Sequence, residues 1–521
     1  MTIEPAAKAL LAALPILIIL LLMLAARWSA VRAGAVGLLT AIVLAWGVFG
    51  YGQSDYNNIA PAAAAGGVLA EAAFTAGAIL WIIFPALCIH QLQTRTGAID
   101  VLRASLERVS PDPRLTVILV AWFFALFIEG AAGFGTTVAL AAPLLVSIGF
   151  GAVTAVTMAL IGHALGASFG AVGTPILPQI AATGLSGLEL SRATGLYHSL
   201  LGWFLLFIVV MIAAKALKKK GREPVQPIWG WTLLAAALFL LSFFAISRWV
   251  GPELPTLGGA LLGGLLFVAA LRLAQKWRGG ADRSAAAGQP GISGRDLLRA
   301  ASPYLILVGL ILFTRLIFPV RQALTGVMWQ WVWLDSFRGS IQLLYHPGTM
   351  LFLAFLLGAF WQRAKLSDVK AAMTETAVQL GPVAVALLVM LALSRLMVHA
   401  GMIDTLAVAA AGVAGQTWPL VAPWVGMLGT FVTGSATASN VLFTDLQQAT
   451  ARNLGLPVLT IVGAQGFGAA VGNMIAPHNI IAGGATVGLS GQEGLIMRRT
   501  MGVGLIYAAL GGLIALYLAA G

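Results

Sequence analysis

One carboxylate stands beside a cluster of small and polar residues in a part of the chain that is otherwise apolar. Glu129 precedes the first tip, residues 130–137, whose candidate residues are Gly130, Gly133, Gly135, Thr136 and Thr137. Glycine lets the backbone turn sharply and approach a ligand closely, and hydroxyl groups donate hydrogen bonds. Burial makes a carboxyl group easier to protonate. We therefore predict that Glu129 carries a proton next to an anion-binding turn; its alternative role is a structural hydrogen bond to the turn.

A second cluster of the same kind follows near the end of the chain. This second tip, residues 433–440, contributes Ser435, Thr437, Ser439 and Asn440. Two apolar helices are also interrupted, at a first break near Gly173 and a second break near Gly472. These breaks contribute Thr174, Asn473 and His478. Neither tip holds a basic side chain, so we predict a site for a small anion held by helix N-termini, hydroxyl groups and amides.

Four further polar side chains at membrane depth each allow two roles. His163 is predicted either to relay protons or to pack as a neutral side chain. Asp445 can pair with a proton or with a cation. His478 either binds substrate or caps a helix end, and Gln465 either binds substrate or bonds to a neighbouring helix. We assign Glu129, His163 and Asp445 to proton coupling and the other polar residues to substrate binding.

Apolar arms flank each tip and predict the elements that position it. The arms at 115–127 and 138–150 are each shorter than the roughly 20 residues of a relaxed membrane span. Non-helical backbone occurs at membrane depth only where protein buries it or water reaches it. We therefore predict two re-entrant helical hairpins, each followed by a broken helix: hairpin 115–149 with broken helix 152–184, and hairpin 418–448 with broken helix 457–484.

Composition indicates a membrane protein. Of the 521 residues, 60% are hydrophobic and only 9% are charged, which is typical of an all-α polytopic membrane protein. The apolar runs predict about 12 crossings in addition to the two hairpins. The net charge of +12 is attributed to Lys and Arg in cytoplasmic loops and not to nucleic-acid binding; their distribution places both termini outside. Membrane lipids are the expected surroundings, and both a monomer and a homodimer stay open.

The two hairpins belong to an internal repeat. Residues 96–102 return as 400–406, and residues 171–178 return as 470–477 with a small change of register. The predicted topology puts the first of the two connectors inside and the second outside, so the repeats have inverted topology, as in many secondary transporters. This predicts four parts: N-terminal scaffold helices 1–62, repeat 1 at 63–215, central scaffold helices 216–375 and repeat 2 at 376–521.

Two segments of the central part are predicted to lie outside the helical bundle. Segment 274–300 is interpreted as a flexible cytoplasmic linker between the halves. Segment 319–346 carries Trp329, Trp331 and Trp333, and Trp favours the lipid–water boundary. We interpret it as an amphipathic piece on the outer surface; the alternative is a lid that gathers substrate.

Motifs that would indicate an enzyme are few. Gly166-Ala-Ser-Phe-Gly170 matches the nucleophile-elbow pattern, but it lies in a membrane helix, where small residues allow close packing. The sequence contains no dinucleotide-binding, Walker, HExxH or CxxC motif, so we expect no cofactor and no metal. Cys88 is the only cysteine, which excludes an internal disulfide. A secondary transporter is therefore favoured over a membrane enzyme and over a passive channel.

Several of these segments resemble the lactate permease family, and the resemblance covers nearly the whole chain. The similar motifs are 127–136, 142–145, 433–435, 439–443 followed by Leu446-Gln447, and 472–477. The resemblance implies symport of L-lactate, D-lactate and glycolate with protons across the bacterial inner membrane, by an elevator-like motion of the hairpins against a scaffold. It also implies that Glu129 and the second tip belong to the site. Ala436, Asp445 and His478 depart from the family's usual residues, so another organic anion or sodium coupling is the alternative.

Overall fold

The computed structural model describes residues 4–26, 28–51, 59–107, 109–110, 112–133, 135–218, 228–277, 293–489 and 492–520. These residues are almost all helical, and one two-stranded antiparallel sheet is the exception among them. Most of the predicted linker 274–300 and Phe134 of the first tip lie outside the described residues. The fold is the polytopic helical membrane architecture that the composition predicts.

Thirteen ranges of the described chain are long and apolar enough to cross a membrane. Two of them, Pro113–Ala131 and Met402–Thr433, contain the first arm of a hairpin. Pro347–Gln362 is a shorter apolar helix. With the two hairpin ranges set aside and this shorter helix included, the helices agree with the predicted number of crossings.

The first half of the chain contains two leading helices and then the first repeat. The leading helices are α1 (Pro5–Leu24) and α2 (Ala30–Gly47). The repeat consists of α3 (Pro61–Arg95), the connector α4 (Ala98–Glu107), the hairpin α5 (Pro113–Val117), α6 (Ala125–Ala131) and α7 (Thr136–Ser147), the broken helix α8 (Ala152–His163), α9 (Gly170–Gly173) and α10 (Leu177–Thr183), and the closing helix α11 (Gly187–Lys218). A π-helical segment, Ile118–Phe124, joins α5 to α6.

The central part separates the two repeats. It consists of α12 (Trp229–Trp249), α13 (Pro255–Trp277), α14 (Gly294–Leu316), α15 (Phe318–Gly326), strands β1 (Trp329–Trp333) and β2 (Phe337–Ile341), and α16 (Pro347–Gln362). The second repeat then follows the order of the first: α17 (Leu366–His399), the connector α18 (Met402–Ala414), the hairpin α19 (Trp418–Thr433) and α20 (Ala436–Leu454), the broken helix α21 (Val458–Asn473) and α22 (Pro477–Ala485), and the closing helix α23 (Glu493–Ala520).

The first break is longer than the sequence predicts. Between α8 and α10 the chain passes through two 3₁₀ turns, Ala164–Phe169 and Thr174–Ile176. Ala171 and Val172 both have positive φ, at 43° and 55°, which is a strained conformation for residues other than glycine. Such strain persists only where the surroundings hold it, and both residues are buried. The second break is shorter, because α22 starts at Pro477 only four residues after α21 ends.

The helices pack as two groups that we name the site unit and the frame. The site unit contains both hairpins and both broken helices, together with α11, α12, α13 and α23; α13 packs on α6, and α11 packs on α12 and α21. The frame contains α1, α2, α3, α14, α16 and α17, in which α3 packs on α16 and α17, and α2 packs on α1 and α17. The frame touches the site unit mainly where α17 meets α20 and where α3 meets the first break. The division of the chain into four parts stays a prediction.

The tryptophan-rich part of segment 319–346 forms a β-hairpin on the frame. Strands β1 and β2 pair Trp329 with Ile341 and Trp333 with Phe337. Phe337 is fully buried and occupies the space where Gly67 of α3 has no side chain. Glu71, one turn further along α3, accepts a hydrogen bond from the backbone N–H of Arg338 at 2.9 Å. The hairpin is therefore fixed to α3 by both apolar and polar contacts.

Candidate functional site

Glu129 is buried at the end of the descending arm of the first hairpin. Its side chain is 3% exposed, and its Oε2 accepts a hydrogen bond from the hydroxyl of Thr137 at 2.7 Å. A Cβ atom placed on Gly170 would lie 2.6 Å from Oε1 of Glu129. The absence of a side chain at Gly170 therefore lets the carboxylate reach the backbone of the first break.

His163 faces the same carboxylate from the end of α8. Its Nδ1 lies 2.6 Å from the carbonyl oxygen of Ala159, and because a carbonyl only accepts, Nδ1 carries the hydrogen. The other ring nitrogen, Nε2, lies 3.9 Å from Oε2 of Glu129. Nε2 is thus the ring nitrogen nearer to the carboxylate, and both side chains are buried.

The two tips and the two breaks meet in one place. A Cβ atom on Gly133 of the first tip would lie 3.3 Å from the backbone nitrogen of Ala171 in the first break. One on Gly434 of the second tip would lie 3.0 Å from Cβ of His478 at the second break. Each tip therefore packs against the break of its own repeat.

Contacts between the repeats complete this convergence. Asn440 donates from Nδ2 to the carbonyl of Pro175 in the first break at 2.8 Å. A Cβ atom on Gly135 would lie 3.3 Å from Oδ1 of Asn479, just after the second break. Asn479 in turn donates to both the carbonyl and the side-chain oxygen of Asn473. Each tip therefore also contacts the break of the other repeat.

Exposure divides the predicted binding residues into two groups. The half-buried or exposed residues are Gly135, Thr136, Ser435, Asn473 and His478. The buried residues are Gly133, Thr137, Gly173, Thr174, Thr437, Ser439 and Asn440. The more accessible group thus lies mostly at the starts of α7, α20 and α22, the helix ends at which backbone N–H groups lack a partner within the helix. Ser435 also caps α20, accepting from the N–H of Ala438 at 3.3 Å.

Asp445 and Gln465 bond to neighbouring helices. The carboxylate of Asp445 accepts from Arg395 at 2.9 Å and from Ser394 at 3.1 Å, both on α17. Gln465, on α21, accepts from Gln447 at 3.0 Å and donates to Ser439 at 3.3 Å and to Asn440 at 3.4 Å, all three on α20. The choice between the roles that the sequence left open for these two residues stays a prediction.

Two of the predicted glycines pack against the segment that precedes and starts α13. Gly130 lies against the backbone of Leu257, and a Cβ atom on Gly173 would lie 2.5 Å from the carbonyl oxygen of Pro252. The structure thus places these glycines at a helix contact, where small residues let backbones approach closely. Thr174, next to Gly173, donates to the carbonyl of Ala171 at 2.6 Å and closes the first break on itself.

The nucleophile-elbow serine has a histidine partner that sequence reasoning missed. Ser168 Oγ lies 2.8 Å from Nε2 of His198 and 3.1 Å from the carbonyl oxygen of Gly466, while His198 Nδ1 lies 3.2 Å from the hydroxyl of Tyr507. The hydroxyl hydrogen of Ser168 can go either to this carbonyl or to Nε2 of His198, and the tautomer of the ring follows that choice. Nδ1 faces a tyrosine hydroxyl and not a carboxylate, so the pair lacks the acidic partner of a catalytic triad. The signal available in the sequence was His198 itself, a polar residue within the apolar run 192–214.

Asn479 and an ion pair between Glu253 and Arg315 were also missed. Arg315 donates to Oε1 of Glu253 at 2.7 Å and 3.2 Å, and both side chains are less than one-tenth exposed. Each residue stands at the end of an apolar run, a position where charged side chains usually reach water. Sequence position alone gave no signal that the two were buried together.

Comparisons with known proteins agree with the resemblance noted from the motifs. The family model described as L-lactate permease matches residues 8–341 and 336–520. The L-lactate permease of Escherichia coli (strain K12) is 29% identical over 466 residues, covering 84% of this chain and 83% of that protein. The glycolate permease GlcA of the same strain is 28% identical over 552 residues, covering 98% and 95%. The L-lactate permease of Streptococcus iniae is 30% identical over 385 residues, covering 73% and 78%.

Among solved structures, the chain is similar to the YdaH transporter of Alcanivorax borkumensis. The sequences are 16% identical, the match covers 85% of this chain and 86% of that one, and the TM-score is 0.48.

Proposed function

Because this chain belongs to the L-lactate permease family, we propose that it imports small 2-hydroxymonocarboxylates such as lactate and glycolate together with protons. The curated relatives are lactate and glycolate permeases by name, and the chain is a multi-pass membrane protein by its helices. We further propose that it lies in a bacterial inner membrane with both termini outside, because that orientation keeps most Lys and Arg in cytoplasmic loops.

One observation carries the proposal: both tips and both breaks converge where the helices α7, α20 and α22 begin. A carboxylate is favoured at such N-termini by free N–H groups and by the helix dipoles. The hydroxyl of Ser435 can donate to a substrate's carboxylate, and the hydroxyl of Thr136, whose hydrogen goes to the carbonyl of Gly133 at 2.6 Å, can accept from a 2-hydroxyl group. Neither tip has a basic side chain, so the site suits one negative charge better than two.

Glu129 and His163 supply the proton. A substrate anion adds a negative charge to a region of low polarity, which is costly unless another charge changes at the same time. Protonation of Glu129 removes one negative charge from behind the tip, and Nε2 of His163, 3.9 Å away, is placed to pass that proton. The carrier would then move its anion and its proton together when the site unit moves against the frame in an elevator-like motion.

The Ser168–His198 pair favours a transporter over an enzyme. In nucleophilic catalysis the histidine must present a lone pair that takes the serine's proton. A third group, commonly a carboxylate, orients that histidine, whereas Nδ1 of His198 faces the hydroxyl of Tyr507 at 3.2 Å. Ser168 and His198 are also almost completely buried. We therefore assign the pair to holding helices together.

Uptake by purified protein in liposomes tests the proposal. Labelled lactate and glycolate should accumulate when the outside is made acidic, and a protonophore should abolish the accumulation. Replacing sodium by choline at constant pH separates proton from sodium coupling, and counterflow of label against unlabelled lactate separates a carrier from a channel. Uptake that is indifferent to the pH gradient would contradict proton coupling. Accumulation of neither substrate would contradict the substrate class.

A further inference from the structure

Two ion pairs join the site unit to the frame. Arg315, in the last turn of α14, donates to Glu253 in the segment that precedes α13 at 2.7 Å. Arg395, in the last turns of α17, donates to Asp445 on α20 at 2.9 Å. All four side chains are at least four-fifths buried. In both pairs the arginine belongs to the frame and the carboxylate belongs to the site unit.

Both pairs lie at the same end of the frame. Arg315 also donates to the backbone carbonyl of Tyr345 at 2.9 Å and lies over its ring. His399, four residues after Arg395, contacts Glu71 at 2.8 Å, and Glu71 accepts from the backbone of Arg338. Segment 338–345 therefore ties the ends of α14 and α17 together. Any slide of the site unit along the frame must break both ion pairs at once.

The pair between Arg315 and Glu253 is well placed to open. Within the described part of the chain, Nη1 of Arg315 and Oε2 of Glu253 are buried and have no hydrogen-bond partner. A buried pair stabilises a structure only when its remaining donors and acceptors are also satisfied. This contact therefore adds little to the fold as such, yet its geometry is specific to one position of the site unit. Glu253 also follows Pro252, whose carbonyl packs on Gly173 of the first break.

We propose that Arg315–Glu253 and Arg395–Asp445 are two latches that hold the site unit in its present position and open when the unit moves. The inference rests on the proposed transport function for the movement it invokes. It assigns Arg315, Glu253 and Arg395 as positioning residues, and it gives Asp445 a role in conformation in place of proton coupling.

A cysteine reporter on α20 tests the latches without substrate. Ala449, one turn after Asp445, is partly buried against the apolar core of the frame. In a Cys88→Ala background, Ala449→Cys should be labelled slowly by a water-soluble thiol reagent in liposomes. Asp445→Asn and Glu253→Gln should each raise the labelling rate about tenfold or more, because each leaves an arginine buried and unpaired in the present position and so shifts the equilibrium toward the moved one. Glu253 precedes α13 and accepts hydrogen bonds from Arg315 of α14, so its effect on a reporter on α20 would be transmitted by movement of the whole unit.

Matched variants separate a latch from general loosening. Glu375→Gln breaks an exposed ion pair with Arg95 that lies wholly within the frame, and it should leave labelling unchanged. Arg395→Gln/Asp445→Asn should label no faster than either single variant, because both changes open the same pair. Labelling within twofold of background in Asp445→Asn or Glu253→Gln, or an equal rise in Glu375→Gln, would overturn the proposal. A protein that shows latch-dependent labelling but carries no lactate would refute the proposed function and leave the latches standing.

Discussion

Nε2 of His163 lies 3.9 Å from Oε2 of Glu129, and the other nitrogen of the same ring is committed to the carbonyl of Ala159. The pair is buried beside the first break, and the hydroxyl of Thr137 donates to the same oxygen at 2.7 Å. The carboxylate is therefore held in one position next to the tip, and its proposed part in proton coupling can be tested by replacing it with an amide of the same shape.

Glu129→Gln should abolish uphill uptake and leave exchange partly intact. The glutamine oxygen can still accept from Thr137, so the tip keeps its hydrogen bond, but the side chain no longer takes up a proton. Accumulation of labelled lactate driven by a pH gradient should fall to the equilibrated level, while counterflow should retain a measurable fraction of the native rate. Unchanged concentrative uptake by this variant would remove Glu129 from proton coupling.

Gly135→Ala should weaken substrate binding more than the matched change at Gly149. Both glycines have positive φ, at 79° and 104°, so an alanine costs about 1–2 kcal/mol of backbone strain at either position. Only at Gly135 would the new Cβ atom press on Asn479, 3.3 Å from its Oδ1, whereas at Gly149 it meets open space. Half-saturation of uptake should rise about tenfold or more for Gly135→Ala. Equal effects of the two variants would show that Gly135 is needed only for its backbone conformation and not for its closeness to Asn479.

The arrangement of the hairpins was predictable because short-range signals decide it. Apolar arms too short to span, separated by Gly133 and Gly135, place a turn inside the bundle whatever the rest of the chain does. Glycines mark the breaks in the same way, since α9 ends at Gly173 and α21 ends one residue after Gly472. The family resemblance drawn from these motifs is confirmed. The assignment of individual side chains to substrate or proton stays a prediction.

Partners that come from distant segments were beyond sequence reasoning. Asn440 could be placed at the second tip, but its bond to the carbonyl of Pro175 joins residues 265 positions apart. In the sequence, Glu253 and Arg315 stand at the ends of predicted spans. They are buried because the last turn of α14 meets the segment that precedes α13. The β-hairpin could not be predicted either, because three tryptophans indicate the lipid–water boundary but do not indicate the secondary structure of the segment.

His346 should make the frame sensitive to acid. Burial, and secondly the positive charge of Arg315, lower the pKa of His346 from 6.5 to about 4. The neutral ring is also used, because its Nδ1 accepts from the backbone N–H of Gly348 at 3.3 Å and caps α16. The unfolded chain takes up a proton near pH 6.5 and the folded chain only near pH 4. Folded stability is therefore lost as pH falls through that window, by about 2 kcal/mol at pH 5.

His346→Asn isolates this contribution. Asparagine caps helices well and does not titrate, so the variant should keep the start of α16 and lose the acid sensitivity that His346 causes. Thermal unfolding in detergent at pH 7.5 and pH 5 should show a smaller drop in midpoint for His346→Asn than for the native chain. His478→Asn serves as the control, because it makes the same replacement at an exposed histidine outside the frame and leaves His346 unchanged. If His346→Asn and the native chain lose the same stability on acidification, protonation of His346 is not the cause of the acid sensitivity.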